Sequence, residues 1–140
     1  MPGQVTLLTI ISFLLFIQPA FRKKDKAGHL FSIAVTNRVG YINSKGEIVV
    51  APQFYNGSEF SEGLAAVRKE GVYGYINTNG NWVIPPQFDY ALPFSEGAGI
   101  VYKDGRPFYI DASGKTLFTH DFAELNSFAH GFAKVKTLQG

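Results

Sequence analysis

The sequence predicts an all-β fold, an antiparallel meander of about three 34-residue repeats of three strands each, with a hydrophobic helix at the N-terminus. The first observation behind this prediction is a fixed period, because the segment from Val39 to Val67 recurs 34 residues later without an insertion. The second is that Gly and Pro interrupt the chain every few residues and no helical apolar periodicity lasts three turns. Units this short must complete one another's cores, in a propeller-like or an open array.

Three short motifs carry the repeat. They are Gly40-Tyr41-Ile42-Asn43, Pro52-Gln53-Phe54 and Phe60-Ser61-Glu62-Gly63, and they return as Gly74-Tyr75-Ile76-Asn77, Pro86-Gln87-Phe88 and Phe94-Ser95-Glu96-Gly97. A third, weaker copy keeps the same spacing with Tyr109-Ile110-Asp111, Gly114, Phe122, Phe128 and Gly131.

Each unit is predicted to open with a hairpin. Its two strands, Gly40–Asn43 and Glu47–Val50 in the first copy, flank the turn Asn43-Ser44-Lys45-Gly46. Asn or Asp at the first position and Gly at the fourth are typical of a type I turn followed by a left-handed residue. The second strand is expected to stop at Pro52 and Pro86, because Pro cannot donate to a ladder.

The rest of the unit is predicted to be a connector and a third strand. The connector Gln53–Gly63 carries Phe54 and Phe60, which we expect to fold back onto the sheet as its cover. A third strand, Leu64–Lys69 in the first copy, leads through a Glu-Gly or Asp-Gly turn into the next unit. With an opening copy at Phe31–Val35, this gives about ten strands.

The first thirty residues are predicted to stand apart from a repeat domain that spans residues 31–140. The apolar run from Val5 to Ile17 has 13 residues, which suits a signal peptide better than a membrane span of about 20 residues. A short anchor and a buried helix are the alternatives. A basic linker with Arg22 and Lys23 follows the run.

Composition excludes several classes of function. The net charge is +2, and the basic linker alone accounts for it, so the repeats carry no basic stripe for nucleic acid. The chain has no Cys, which excludes disulfides and thiolate metal sites. His29, His120 and His130 are too scattered for a metal motif, and we expect no metal and no cofactor.

These motifs resemble the bacterial WG repeat family, whose unit reads approximately Trp-Gly-Tyr-Ile-Asp, a turn, Gly-Lys, an apolar strand, Pro-x-Phe and Phe-Ser-Glu-Gly-Leu-Ala. The resemblance covers about residues 31–135. Val39, Tyr73 and Pro107 hold the place of the family's Trp, and Phe108 replaces the Gly in the third copy, where we expect less regular packing. The resemblance implies an all-β array, often exported or at the cell envelope, and it transfers no catalytic residue.

Four side chains are candidates for a binding surface. Glu62 and Glu96 recur at one position and so can line one edge of the array, although a turn-capping role is favoured for them. Tyr55 and Tyr90 flank the first Phe of their connectors and are expected to be exposed, whereas the repeated Tyr41, Tyr75 and Tyr109 are expected in the core.

The sequence therefore favours a non-catalytic domain for binding or scaffolding, secreted or at the cell envelope, with a protein, peptide or glycan as its partner. Contact with a membrane is expected only through the N-terminal segment. A polysaccharide-active enzyme or toxin-associated module is the alternative. A third hypothesis is a fragment of a longer repeat protein, which predicts an unpaired final strand with a bare apolar edge.

Overall fold

The computed structural model describes residues 29–118 and 120–138, and these residues form twelve β-strands. The predicted N-terminal helix and leader lie outside the described residues. The strands are β1 (Leu30–Val35), β2 (Arg38–Asn43), β3 (Ile48–Phe54), β4 (Asn56–Gly57), β5 (Leu64–Lys69), β6 (Val72–Asn77), β7 (Trp82–Phe88), β8 (Tyr90–Ala91), β9 (Gly99–Lys103), β10 (Arg106–Ile110), β11 (Phe122–Leu125) and β12 (Val135–Thr137).

The strands form four antiparallel sheets, numbered here in chain order. Sheet 1 has the order β1-β2-β3, sheet 2 β4-β5-β6-β7, sheet 3 β10-β9-β8 and sheet 4 β11-β12. Each pair of neighbouring strands in a sheet is antiparallel. The predicted all-β antiparallel array of three repeats is thus confirmed.

Sheets 1, 2 and 3 each cross a repeat boundary, because the last strand of one unit pairs with the first strand of the next. In sheet 2 the two strands are joined by Glu70 and Gly71, whose φ angles are 51° and 93°. Positive φ at both central residues defines the type I′ turn, which matches the right-handed twist of paired strands. The predicted Glu-Gly and Asp-Gly hairpins are therefore present.

The predicted Asn-to-Gly turns are also confirmed. Asn43 Oδ1 accepts hydrogen bonds from the N–H groups of Lys45 and Glu47, both at 3.0 Å. The N–H of Gly46 donates to the Asn43 carbonyl at 3.0 Å, and Gly46 itself has a φ of 80°. Asn77 and Asp111 accept the corresponding bonds in the second and third copies.

The prediction that the second strand stops at Pro52 and Pro86 was wrong, because β3 continues to Phe54 and β7 to Phe88. The register shifts opposite Gly40, where Val39 pairs with Phe54 but Tyr41 pairs with Val50. This bulge leaves Pro52 outside the one-to-one pairing, so its missing N–H costs no ladder bond. A Cβ on Gly40 would lie 2.5 Å from the Val50 carbonyl oxygen, which is why Gly stands there.

Three apolar clusters hold the sheets in a stack. The first joins sheets 1 and 2 and includes Tyr41, Val50 and Ile76. The second joins sheets 2 and 3, and the third joins sheets 3 and 4. Sheets 2 and 3 therefore bury residues on both faces, as expected for units that share their cores.

The connector aromatics cover the sheets as predicted. Phe54, Phe88 and Phe94 are buried, and Phe60, Phe122 and Phe128 are half-buried against the clusters. The connector also pairs with the third strand through β4 and β8, two short strands that the sequence did not predict.

The third copy is less regular, as expected from Phe108. Its second strand is reduced to a bridge between Ile110 and Thr116 and a hydrogen bond from the Leu117 N–H to the Tyr109 carbonyl at 2.9 Å. Phe108 packs against the cluster between sheets 2 and 3. In the first two copies Gly40 and Gly74 stand at this position, and the backbone of the neighbouring strand lies close against them.

Candidate ligand-contact surface

The Ser-Glu-Gly motif forms a tight turn that links successive repeats. Ser61 and Leu64 exchange two backbone hydrogen bonds, and Glu62 between them has a φ of 53°. The Glu62 carboxylate accepts a bond from the Gly97 N–H at 2.9 Å, and the Ser61 hydroxyl donates to the Phe94 carbonyl at 2.7 Å. This turn thus holds the corresponding turn of the next unit.

The second copy repeats these contacts. Glu96 accepts from the Gly131 N–H at 2.8 Å, and Ser95 donates to the Phe128 carbonyl at 2.7 Å. We call these two pairs of bonds the inter-repeat clamps. Glu62 and Glu96 therefore have a structural use that accounts for their recurrence, although their carboxylates remain at the surface.

The repeated tyrosines are core residues, as the sequence predicted. Tyr41, Tyr75 and Tyr109 are each at most 2% exposed. Their hydroxyls donate to the carbonyls of Ser58, Leu92 and Asn126 at 2.8, 2.7 and 2.7 Å. Burial raises the pKa of all three phenols above the usual value, which keeps the hydroxyls protonated as donors.

Tyr55 and Tyr90 are both exposed, by 57% and 47%. The structure does not give them equivalent surroundings. Arg38 places its guanidinium carbon 3.5 Å from the centre of the Tyr55 ring, which is a cation–π contact. Tyr90 instead contacts two other tyrosines, so only Tyr90 belongs to a larger aromatic surface.

Three tyrosines form a continuous line that runs from sheet 2 to sheet 3. The ring of Tyr90 lies 5.2 Å from that of Tyr73 and 6.1 Å from that of Tyr102, with both pairs edge to face. Tyr73 is buried, Tyr102 is half-buried and Tyr90 is the exposed member. We call these three residues the tyrosine row.

The tyrosine row departs from the repeat pattern. The positions equivalent to Tyr90 hold Asn56 and Glu124, and those equivalent to Tyr102 hold Arg68 and Lys136. These pairs face each other across their sheets just as Tyr90 faces Tyr102. Since polar pairs support the same fold in the other copies, the fold does not require an exposed aromatic pair here.

A side chain of the preceding unit forms a hydrogen bond with one tyrosine of the row. The side-chain amide of Asn56 donates to the Tyr73 hydroxyl at 3.2 Å. An exposed ring with adjacent polar groups offers both an apolar surface and hydrogen-bonding atoms to a ligand.

A cavity of about 680 Å³ lies beside the irregular third copy. Its lining combines the apolar rings of Phe108 and Phe118 with charged groups of both signs. The charged and titratable residues of the lining are Lys103, Asp104, Arg106, His120 and Asp121. The cavity is thus a second candidate surface, and the sequence did not single it out because most of its lining residues come from the copy that breaks the repeat.

The described part of the chain shows no cluster of three His, Asp or Glu side chains that could hold a metal ion. His29 packs its ring edge on Phe31 at 4.9 Å, and the His120 ring lies 6.2 Å from that of Phe122. In residues 29–118 and 120–138, no helix is long and apolar enough to cross a membrane.

Comparison with protein families identifies the repeat. The family model for the WG containing repeat matches residues 40–73, 73–106 and 108–138. The chain belongs to the WG repeat family. The matches cover all three copies, including the third copy with Phe108, so the WG repeats account for most of the described residues. No curated protein and no solved structure matched the chain.

Proposed function

We propose that this WG repeat domain is a non-catalytic binding domain and that the tyrosine row is its contact surface. The observation that carries the proposal is the Tyr90–Tyr102 pair, which replaces polar pairs at the equivalent positions of the other sheets. Exposed tyrosines present a large contact area at a small conformational cost. A glycan ring or an apolar peptide side chain is the class of group that such a surface takes.

The test compares the two exposed tyrosines in the full chain. Tyr90→Ala should weaken binding to its glycan or peptide ligand by about tenfold, because about 1.4 kcal/mol of ring contact is removed. Tyr55→Ala is the matched control, since Tyr55 is also exposed but lies outside the row. The probe is an array of soluble polysaccharides and peptides, with affinities then measured by calorimetry.

Thermal melts show whether a loss of affinity in a variant reflects lost ligand contacts or a loss of folding stability. Tyr90→Ala should melt at the parental temperature, because the ring is exposed. Equal loss of binding in both variants, or a large fall in melting temperature for Tyr90→Ala alone, would remove the tyrosine row from the proposal.

We further propose that the apolar run Val5–Ile17 directs this domain out of the cytoplasm or to the cell envelope. Its length and the basic linker behind it support this location. The intact mass of the chain recovered from each cell fraction tests the proposal, because removal of the leader leaves a defined mass loss. Recovery of an intact 140-residue chain from the cytoplasm alone would contradict it.

A polysaccharide-active enzyme or toxin-associated module is the second candidate, and the cavity beside the third copy favours it. Asp104 and Asp121 both line this cavity. Release of new reducing ends from a polysaccharide by the parent chain, lost in Asp121→Asn, would favour catalysis over binding.

A further inference from the structure

An exposed aliphatic side chain recurs at one position of all three units. Val49, Val83 and Leu117 follow one another at the repeat spacing and are 41%, 40% and 41% exposed. They lie on the second strand of each unit, which is the edge strand of sheets 1 and 2 and is reduced in the third copy. We call these three residues the aliphatic stripe.

A β-bulge sets each valine of the stripe apart from the ladder. The register shifts between Tyr41 and Ile42, and Val49 on β3 lies outside the one-to-one pairing. The same shift on β7 leaves out Val83. Because a bulge at a sheet edge changes the direction of a side chain, the backbone itself presents these valines at the edge.

The stripe runs along the stack. A Cβ on Gly80 would lie 3.0 Å from a methyl group of Val50, and a Cβ on Gly114 would lie 3.2 Å from a methyl group of Ile84. The turn of each unit therefore lies against the second strand of the preceding unit. Equivalent residues of successive units thus recur along one side of the stack.

The charge beside the stripe changes from one end of the stack to the other. Two residues before each member of the stripe stand Glu47, Asn81 and Lys115, and all three are exposed. Two residues span only about 7 Å of an extended strand, so each polar group lies next to its aliphatic neighbour. A carboxylate, an amide and an ammonium group accordingly follow one another along the stripe.

The fold does not determine this order of charges. The N–H groups of Glu47, Asn81 and Lys115 each donate to the side-chain oxygen of the Asn or Asp that opens the turn, at 3.0 Å in every copy. The turn uses the backbone of this position, and it forms with an acidic, a neutral and a basic side chain alike.

We propose that two copies of the chain associate through the aliphatic stripe about a two-fold axis parallel to the strands. Such an axis reverses the order of the units, so the first unit of one copy faces the third unit of the other. Glu47 then lies opposite Lys115 of the partner subunit, and Val49 lies opposite Leu117 of the partner subunit. The middle units face each other, so the surface complements itself in charge and in apolar character.

A two-fold axis along the stack is disfavoured, because it would place each unit opposite its own copy. Glu47 and Lys115 would then each face a like charge, which is unfavourable at an interface. Pairing of two edge strands through their backbones is disfavoured by Pro52 and Pro86. The association goes beyond the proposed function, because it requires neither ligand binding by the tyrosine row nor removal of the leader.

Exchange of the two charges tests the proposal. Lys115→Glu should weaken the dimer by about 30-fold, because two pairs of opposite charges become pairs of like charges in a two-fold dimer. Glu47→Lys should weaken it similarly, and the double variant Glu47→Lys/Lys115→Glu should restore the parental association. Lys134→Glu is the control, since it makes the same change of charge at an exposed residue outside the stripe.

Sedimentation velocity of the purified full chain, at concentrations up to the order of 100 µM, measures the association. Thermal melts identify any variant whose fold is destabilised, and either single variant suffices for the test. The parent, the control and the double variant should sediment as dimers, with the single variants shifted toward monomer. A monomeric parent, parental association in a folded single variant, or a folded double variant that does not recover would overturn the proposal. Association through the apolar run Val5–Ile17 would be equal in all variants and would overturn it as well.

Discussion

Gly80 and Gly63 have almost the same backbone conformation but different neighbours. Their φ angles are 80° and 79°, in the left-handed region where a side chain is strained. A Cβ on Gly63 would meet no atom within 4 Å, whereas a Cβ on Gly80 would lie 3.0 Å from a methyl group of Val50 in the preceding unit. The turn at Gly80 is therefore both a local turn and an inter-repeat contact.

Substitution of each glycine by Ala separates these two contributions. Gly63→Ala should lower the free energy of unfolding by about 1 kcal/mol, from backbone strain alone. Gly80→Ala should lower it by about 1 kcal/mol more, because Val50 must also move. Urea unfolding of both variants measures the difference. Equal losses would mean that the turn does not press on the neighbouring unit.

Asp111 stands where the first two copies have Asn43 and Asn77, and it alone among these three capping residues can titrate. The Ser113 hydroxyl donates to its carboxylate at 2.6 Å, and the N–H of Lys115 donates at 3.0 Å. These hydrogen bonds lower the pKa of Asp111 from the usual 3.8. The bond from the Ser113 hydroxyl has the largest effect, and the bond from the Lys115 N–H has the next largest.

A lowered pKa in the folded state has a definite consequence for acid stability. The contribution of Asp111 is complete above the unfolded pKa near 3.8 and is lost as the pH falls through the lower folded value. Asp111→Asn keeps the turn residue of the other copies and removes this titration. Melting temperatures between pH 6 and pH 2 should therefore fall less steeply for Asp111→Asn than for the parent. If the melting temperatures of the two proteins fell in parallel with pH, the hydrogen bonds to Asp111 would not contribute to stability.

At the scale of the strand, the sequence predicts local chemistry well and backbone geometry less well. The Asn-to-Gly turns and the Glu-Gly hairpin follow from the φ preferences of single residues, and the structure confirms them. The passage of β7 through Pro86 could not be predicted in this way. It depends on the close approach of the Ile84 carbonyl to Gly74, where a Cβ would lie at 2.5 Å.

The connector strands show the same limit. β4 consists of Asn56 and Gly57, two residues that disfavour strands, and it pairs because the edge of β5 is beside it. The exposure of Tyr90 was predictable from its place in the connector. Its contacts with Tyr73 and Tyr102 were not, because they depend on how sheets 2 and 3 stack.

In the whole molecule, each unit contacts its neighbours in the stack and the inter-repeat clamps join successive turns. The stability of such an array is approximately a sum of unit terms and nearest-neighbour terms. The clamp between Glu96 and Gly131 joins the third copy to the second, whereas His130 occupies the equivalent position with no following turn among the described residues. Both residues have similar positive φ angles, 51° and 55°.

Glu96→Ala and His130→Ala therefore form a matched pair for measuring the coupling between units. Glu96→Ala should lower the free energy of unfolding of the third copy by about 1 kcal/mol, because a backbone N–H loses its acceptor, and His130→Ala should have little effect.

Two spectroscopic signals measure the unfolding of different parts of the stack. Trp82, the single Trp, lies between sheets 1 and 2 and reports on that part by fluorescence, while circular dichroism reports on all four sheets. In the parent the two urea transitions should coincide, and in Glu96→Ala the circular dichroism transition should begin at lower urea than the fluorescence transition. Coincident transitions in Glu96→Ala, shifted together, would instead show that the stack unfolds as one unit whichever clamp is removed.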